Sequence, residues 1–515
     1  MIIESVRRAA RTDGAREATI CGDVTRTWAE VEDRVARLGQ ALVNLGARPG
    51  DRIGILAHNS DRYLEAIFAT WWIGAVTVPM NSRWSIEEHV YSIDDADLRI
   101  VFHDEAFAET AAQCATRRPS LHSLIGFTGR AHRGAHDYED LIGRTERADP
   151  ERLALNAPCG IFYTGGTTGL PKGVVHTHGS ITGSALVASL DMGYPLTPRY
   201  LHAAPMFHLG DLSQAFMATL LGGTHIFIPG FNADEVVRII ARHRVQTTLL
   251  VPTMIGMVLQ SPLLDGADLS SLELIAYGGS PISDPVLKRA REVFSRTRLV
   301  QGFGQTESCA AGTLLADRYH VPGGGGDKMR SAGRPSYGVE IAMRAPDGAF
   351  LGPGEVGEIC LRGPMVMAGY WNKPEETATA LRDGWLHTGD AGYLDDDGFL
   401  YVCDRVKDMI ISGGENVYSA EVERAVATHP KVAQVAVIGV PDEKWGERVH
   451  AIIVAKPGET PTYEEIYAHC RALIAGYKTP RSMDIVAALP LSPVGKVLKT
   501  ELRKPYWGEN QRAVN

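Results

Sequence analysis

What this 515-residue chain lacks narrows its reading first. Its seven cysteines are scattered, and none stands in a C-x-x-C pair. That pattern excludes a disulfide framework and a cysteine zinc knuckle, and it implies a reduced, cytoplasmic setting. No long basic block occurs and the net charge is −9, so nucleic acid is not an expected partner. The opening MIIESVRRAARTDGA has no apolar core of the kind a signal peptide needs. The longest apolar run near the front, AIFATWWIGAVTVPM (66–80), is too short for a bilayer and is broken by Gly74 and Pro79. No transmembrane segment is therefore expected. No Ser/His/Asp or Cys/His nucleophile pattern is present, and no internal repeat.

What is present predicts several compact parts, since the chain is too long for one core. From Thr27 onward, helical periodicity alternates with short buried strands: TWAEVEDRVARLGQALVNL as helix, GDRIGILA as strand, DRYLEAIFATWWIGA as helix, AVTVPMN as strand. The alternation resumes from THIFIP to RLVQGFG. Such alternation means α/β architecture with doubly wound parallel sheets. After Arg330 short strands and Asp-Gly turns (347–348 and 397–398) predict a β-rich subdomain over about 331–404. Beyond it, a small α+β domain is expected over 405–515, so that a large domain covers 1–404.

The stretch with most chemical content is YTGGTTGLPKG (163–173), a loop between two apparent strands. Glycines let backbone N–H groups turn onto an anion, and Thr164, Thr167, Thr168 and Lys172 add donors and charge. That suits a polyphosphate. The nucleotide loop G-x-x-x-x-G-K-[ST] does not fit, because Pro171 replaces its second glycine and Gly173 follows the lysine. Further along, ELIAYGGSPIS (273–283) and QGFGQTES (301–308) place glycines at strand ends, where open α/β sheets bind ligands.

YTGGTTGLPKG resembles the phosphate loop of the adenylate-forming superfamily, which includes acyl-CoA synthetases, peptide-synthetase adenylation domains and luciferases. GGSP, QGFGQTES, GWLHTGD (384–390), DRVKDMIISGGENVYSAEVE (404–423) and PLSPVGKVLKTELR (490–503) resemble its later motifs in the same order. The resemblance implies two half-reactions. A carboxylate attacks the α-phosphorus of ATP to give acyl-adenylate and pyrophosphate, and the thiol of coenzyme A then displaces AMP.

The resemblance also implies roles by position. Thr164, Gly165, Gly166, Thr167, Thr168, Gly169 and Lys172 would hold the β and γ phosphates. Gly278, Gly279, Ser280 and Pro281 would pack on adenine, with Gly302, Phe303, Gly304 and Gln305; Phe303 departs from the usual tyrosine. Thr306 would hold the α-phosphate and Glu307 would bind Mg²⁺ as a hard oxygen ligand. Asp390 would accept both ribose hydroxyls, with Arg405 beside it. Lys407 would be the hinge, and Ser412, Gly413, Gly414 and Glu415 would line the CoA path. Lys496 would be the catalytic lysine, with Lys172 and Lys499 the weaker candidates.

His208, in PMFHLGD, would border the acyl pocket with Leu209, Met254, Ala276, Tyr277, Gly302 and Gly304. Small Gly302 and Gly304 favour a deep slot, for a medium- or long-chain fatty or an aromatic acid. A carrier protein in place of CoA stays open as acceptor, and homodimer formation is left open too.

Overall fold

The computed structural model describes the chain apart from residues 129–134, 165–170, 281, 321–327, 406–407, 413–414, 443, 492–496 and 508–515. It divides into two compact units. The first comprises Met1–Ile341 and Leu361–His387, the second Ala342–Cys360 and Thr388–Asn515. The expected break at 404/405 falls inside the second unit, and Lys407 lies outside the described residues.

Two mainly parallel sheets build the first unit, as strand–helix alternation requires. In the eight-stranded sheet the order is Gly369–Tyr370, Lys172–Thr177, Pro158–Thr164, Val76–Pro79, Arg52–Leu56, Ile100–His103, Ser123–Gly126 and His136–Asp137. Its inner strands are apolar on both faces because helices cover both. One of these, Asp61–Trp72, buries every residue except Arg62 and is capped by Ser60, whose hydroxyl accepts from the Tyr63 N–H. Leu56, Val78, Val101 and Ile161 join in the core of this sheet.

The nine-stranded sheet runs Arg334–Pro335, Thr313–Leu315, Arg298–Phe303, Leu274–Gly278, Thr247–Leu249, Arg199–His202, Thr224–Phe227, Glu17–Cys21 and Val24–Thr27. Ile20, Leu201, Ile226, Ile275 and Leu299 share its core. An N-terminal hairpin therefore closes a sheet whose other strands start at Arg199: Ile20 pairs with Ile226 in parallel register. The predicted helix after Thr27 is Trp28–Asn44, set by a capping box between Thr27 and Glu30.

Short strands follow Arg330 as predicted, including Glu340–Arg344, Gly357–Arg362, Trp385–Leu394 and Leu400–Arg405. Gly398 sits at φ +77° in the turn between the last two and donates to the Asp395 carbonyl at 2.9 Å. In the second unit, Val432–Asp442 and Gly446–Ala455 form a long antiparallel pair, extended by Ser482–Ile485 and by Ile410–Ser412 with Glu415–Val417. Helices Ser419–Ala427 and Tyr463–Leu473 bury Val422, Val426 and Ile466 against Val437, Val449 and Ile453. No helix among the described residues is long and apolar enough to cross a membrane.

Candidate active site

Strand ends on both sheets of the first unit converge on one short turn. Pro158–Thr164 and Lys172–Thr177 pair antiparallel, with Thr164 opposite Lys172 and its hydroxyl 3.4 Å from the Lys172 carbonyl. The loop between them holds Gly165, Gly166, Thr167, Thr168 and Gly169 and lies outside the described residues. Lys172 reaches over the ring of Tyr370, its Nζ 5.1 Å from the centroid.

In the other sheet Leu274–Gly278 and Arg298–Phe303 end in register, Gly278 beside Gly302. A Cβ on Gly278 would stand 2.4 Å from the Gly302 carbonyl oxygen, so this pairing demands glycine. Gly279 and Ser280 follow as a bend, and Pro281 lies outside the described residues. Space is open where a Gly302 side chain would point, whereas a Cβ on Gly304 would stand 2.5 Å from the Ala310 carbonyl carbon. Phe303 is half-buried at the strand end.

Beyond Gly304 the chain folds tightly. Gln305 N–H donates to the Ser308 hydroxyl at 3.0 Å, and Thr306–Ser308 form one 3-10 turn. Cys309 and Ala310 then both take left-handed backbone, φ +48° and +60°. Two such non-glycine residues in a row are strained and persist only where neighbours fix them.

Four contacts supply that fixing. His176 lies 2.6 Å from the Thr306 carbonyl through Nε2. Burial lowers the pKa of His176 to about 4, so the imidazole is neutral, and a carbonyl partner requires the proton on Nε2. Met367 N–H donates to the Glu307 carbonyl at 2.9 Å, and the Ser184 hydroxyl donates to that of Cys309 at 3.0 Å. Finally, Tyr370 donates its hydroxyl to Glu307 Oε1 at 2.8 Å. Among the described residues this is the only hydrogen bond of that carboxylate, so Oε2 remains available. A carboxylate oxygen held this way is a hard donor suited to Mg²⁺, so the residues fit the metal that the resemblance implies.

Sequence reading singled out Thr306, Glu307 and Lys172 but missed Tyr370 and His176. Tyr370 stands in GYWNKPEET, and only the pairing of Gly369–Tyr370 with Val174 and Val175 brings it beside the turn. No local signal marks it.

The expected acyl walls follow the carboxyl ends of four neighbouring strands of the nine-stranded sheet. His208 precedes helix Leu209–Leu220 as its N-cap and is half-buried, its ring 4.2 Å from that of Phe207. Leu209 is buried and Met254 packs partly exposed on helix Pro252–Val258. Tyr277 is buried in the core, its hydroxyl 2.8 Å from His320 Nε2, and Ala276 is buried beside it. Asp211, in the first turn after His208, is fully buried; it accepts from the Tyr200 hydroxyl at 2.7 Å and contacts His202 Nδ1 at 2.6 Å.

The remaining expected residues belong to the second unit. Asp390 is buried and pairs in the ladder with Arg405. Ser412 is buried opposite exposed Glu415, while Gly413, Gly414 and Lys496 lie outside the described residues. Lys499 is not free for chemistry: its ammonium meets Glu423 Oε1 at 2.8 Å and the Ser419 hydroxyl. Asp404 Oδ2 accepts from the Ser419 N–H and hydroxyl, each at 2.5 Å. Burial works against the Lys499 ammonium, but Glu423 and Asp404 outweigh it and raise its pKa.

Known proteins match this chain over nearly its whole length. Residues 6–371 match the AMP-binding enzyme family and residues 421–496 match the AMP-binding enzyme C-terminal domain. A feruloyl-CoA synthase of an Amycolatopsis species is 39% identical over 504 residues, covering 97% of this chain and 98% of its own length. The fatty acid–[acyl-carrier-protein] ligase ScoC of Streptomyces coeruleorubidus is 35% identical over 518 residues, covering 100% and 98%. Among solved structures, ATP-bound MatB from Rhodopseudomonas palustris superposes with a TM-score of 0.88 at 28% identity, covering 99% and 100%. The chain belongs to the AMP-binding enzyme family, whose adenylate-forming carboxylate–CoA ligases release AMP and work with ATP, Mg²⁺ and CoA.

Proposed function

We propose that this protein is an ATP-dependent acyl-CoA synthetase for a medium- or long-chain fatty acid or an aromatic acid. The observation that carries the reading is the Thr306–Glu307 turn, anchored at four points while one Glu307 oxygen stays open and Lys172 stands over the anchoring tyrosine. Such preorganisation is what stabilising charge on a phosphoryl group requires. Full-length likeness to a feruloyl-CoA synthase supports an acid with apolar bulk, and the open space before Gly302 suits one.

In the first half-reaction a carboxylate oxygen of the acid attacks the α-phosphorus, the bond to the bridging oxygen breaks, and pyrophosphate leaves. Thr164 and Lys172 hold the departing phosphates, together with Gly165, Gly166, Thr167, Thr168 and Gly169. Thr306 orients the α-phosphate. Bound at Glu307, Mg²⁺ would neutralise phosphate charge. Lys496 bridges the carboxylate and the α-phosphate. Gly278, Gly279, Ser280, Pro281, Phe303 and Gln305 border the adenine, and Asp390 with Arg405 holds the ribose. In the second half the CoA sulfur bonds to the acyl carbon and AMP leaves, with Ser412, Gly413, Gly414 and Glu415 along the thiol's path. Rotation about Lys407 exchanges that loop for Lys496.

A second reading replaces CoA by a carrier protein, favoured by the 35% identity to ScoC over the full chain. One experiment separates the readings: release of AMP and pyrophosphate is measured over fatty and aromatic acids, with CoA, with a carrier protein and with neither. A CoA thioester is the expected product. Formation of ADP would overturn adenylation itself, and acyl transfer to the carrier alone would select the second reading. Lys496→Ala should slow adenylation by on the order of 10²–10³-fold, the usual cost of losing one preorganised donor. It should spare thioester formation from supplied acyl-adenylate.

A further inference from the structure

We propose that Tyr370 is a positioning residue that fixes the metal-binding carboxylate of Glu307 and ties it to Lys172. The inference rests on the reading of Glu307 as the Mg²⁺ ligand. Its basis is a continuous line of contacts. Lys172 opens the strand after the phosphate loop, and its ammonium stands 5.1 Å from the Tyr370 ring centroid. The same tyrosine donates its hydroxyl to Glu307 Oε1 at 2.8 Å. One side chain thus offers its face to a cation and its edge hydroxyl to a carboxylate. Its backbone is fixed as well, because Gly369 and Tyr370 pair with Val175 and Val174 on the lysine's own strand. Thr377 locks the far side, accepting from the Tyr370 N–H at 2.9 Å.

The consequence is directional. A glutamate on a one-turn helix has rotamer freedom, and a metal ligand needs that freedom removed before the metal arrives. Tyr370 removes it by engaging one oxygen and leaving the other facing away from the bond. The Thr306 carbonyl is held separately by His176, so the turn's backbone does not depend on Tyr370. Loss of the hydroxyl should therefore affect the carboxylate without unfolding the turn. The Lys172 contact needs only the ring, so hydroxyl and ring have separable roles.

Tyr370→Phe keeps the ring and deletes the hydroxyl; Tyr370→Leu deletes both. Mn²⁺ is used as a paramagnetic probe, and its binding to the full chain with ATP is titrated by electron paramagnetic resonance. The Mg²⁺ half-saturation of ATP–pyrophosphate exchange is measured beside it. Tyr370→Phe should weaken both by about tenfold, the worth of one hydrogen bond to a charged group. KM for the acid and the thermal midpoint should stay as in the parent. Tyr370→Leu should show the same metal defect and in addition raise KM for ATP. Unchanged Mn²⁺ affinity in Tyr370→Phe, when Glu307→Gln does weaken it, overturns this inference and leaves Glu307 as ligand. Unchanged affinity in both variants overturns the ligand reading and this inference together. A fall in thermal midpoint in Tyr370→Phe with unaltered metal binding would make Tyr370 a packing residue only.

Discussion

Glu307 in the first unit and Glu423 in the second are two glutamates treated in opposite ways. Glu423 is paired with a cation: its Oε1 accepts from the Val437 N–H and from the Lys499 ammonium, each at 2.8 Å, and Lys499 also contacts Ser419, which binds Asp404. Among the described residues the Glu307 carboxylate has one hydrogen bond, yet the turn that carries it is anchored at Thr306, Glu307 and Cys309 from three different segments. In one region the side chain is paired with a cation and supports the backbone. In the other the backbone is supported so that the side chain can remain unsatisfied. Strain at Cys309 and Ala310 belongs to the second pattern, since left-handed alanine and cysteine gain nothing for stability by themselves. A carboxylate neutralised by a cation serves folding; one without a cation on a pinned turn is poised to bind.

The largest effect on stability should come from breaking the ion-paired site. Lys499→Ala leaves half-buried Glu423 and buried Asp404 without their cation. Removing one member of a fully buried pair costs roughly 3 kcal/mol or more, and the partial exposure of this one brings the expected loss to about 2 kcal/mol. Chemical denaturation should show that loss, and hydrogen exchange should locate it in helix Ser419–Ala427. If denaturation of Lys499→Ala matches the parent, Glu423 is not a structural carboxylate and the contrast collapses.

Glu307→Gln should do the reverse. The amide still accepts from Tyr370, so the thermal midpoint should hardly move. ATP–pyrophosphate exchange should fall on the order of 10²-fold at limiting Mg²⁺, because a neutral amide is a poor ligand for a hard cation. Partial recovery at high Mg²⁺ would sharpen the comparison; a stability loss as large as that of Lys499→Ala would break it.

How much of this contrast could be read from sequence differs between the two regions as well. Strand–helix alternation and the glycine-bearing strand ends were legible because they are local: Gly278 and Gly304 occur where backbone approaches backbone. The helix at Thr27 was legible from its periodicity and bounded by a capping box. The joining of Glu17–Cys21 to Thr224–Phe227 was not, since a pairing across two hundred residues leaves no periodic trace. For the same reason Tyr370 stayed hidden: it reaches Glu307 from 63 positions away, through a two-residue strand. The sequence also leaves Lys499 a weaker catalytic candidate, because an exposed and a buried lysine look alike there. Only the packing of Glu423, Ser419 and Asp404 distinguishes them.

The smallest expected effect tests the two regions by acid. The first unit buries imidazoles that must stay neutral: burial lowers the pKa of His89 and of His178 to about 4. The second unit's cluster instead depends on a charge, the Lys499 ammonium, whose pKa is raised, so it stays protonated through this range. In the unfolded chain a histidine titrates near 6.5. Below that pH the unfolded state takes up protons that the folded first unit refuses until about 4, so stability is fully present above about 6.5 and falls as the pH drops. At pH 5.5 each imidazole should have cost about 1 kcal/mol. Denaturation at pH 7.5 and 5.5 should show a positive dependence of stability on pH. His89→Gln, whose amide does not titrate, should flatten it by that amount relative to the parent, whatever its own stability at pH 7.5. Lys499→Ala should flatten the slope by another route, because it removes the ammonium that offsets the burial-raised pKa of Glu423. A slope that His89→Gln leaves untouched would mean that His89 takes up its proton in the folded state as readily as in the unfolded one.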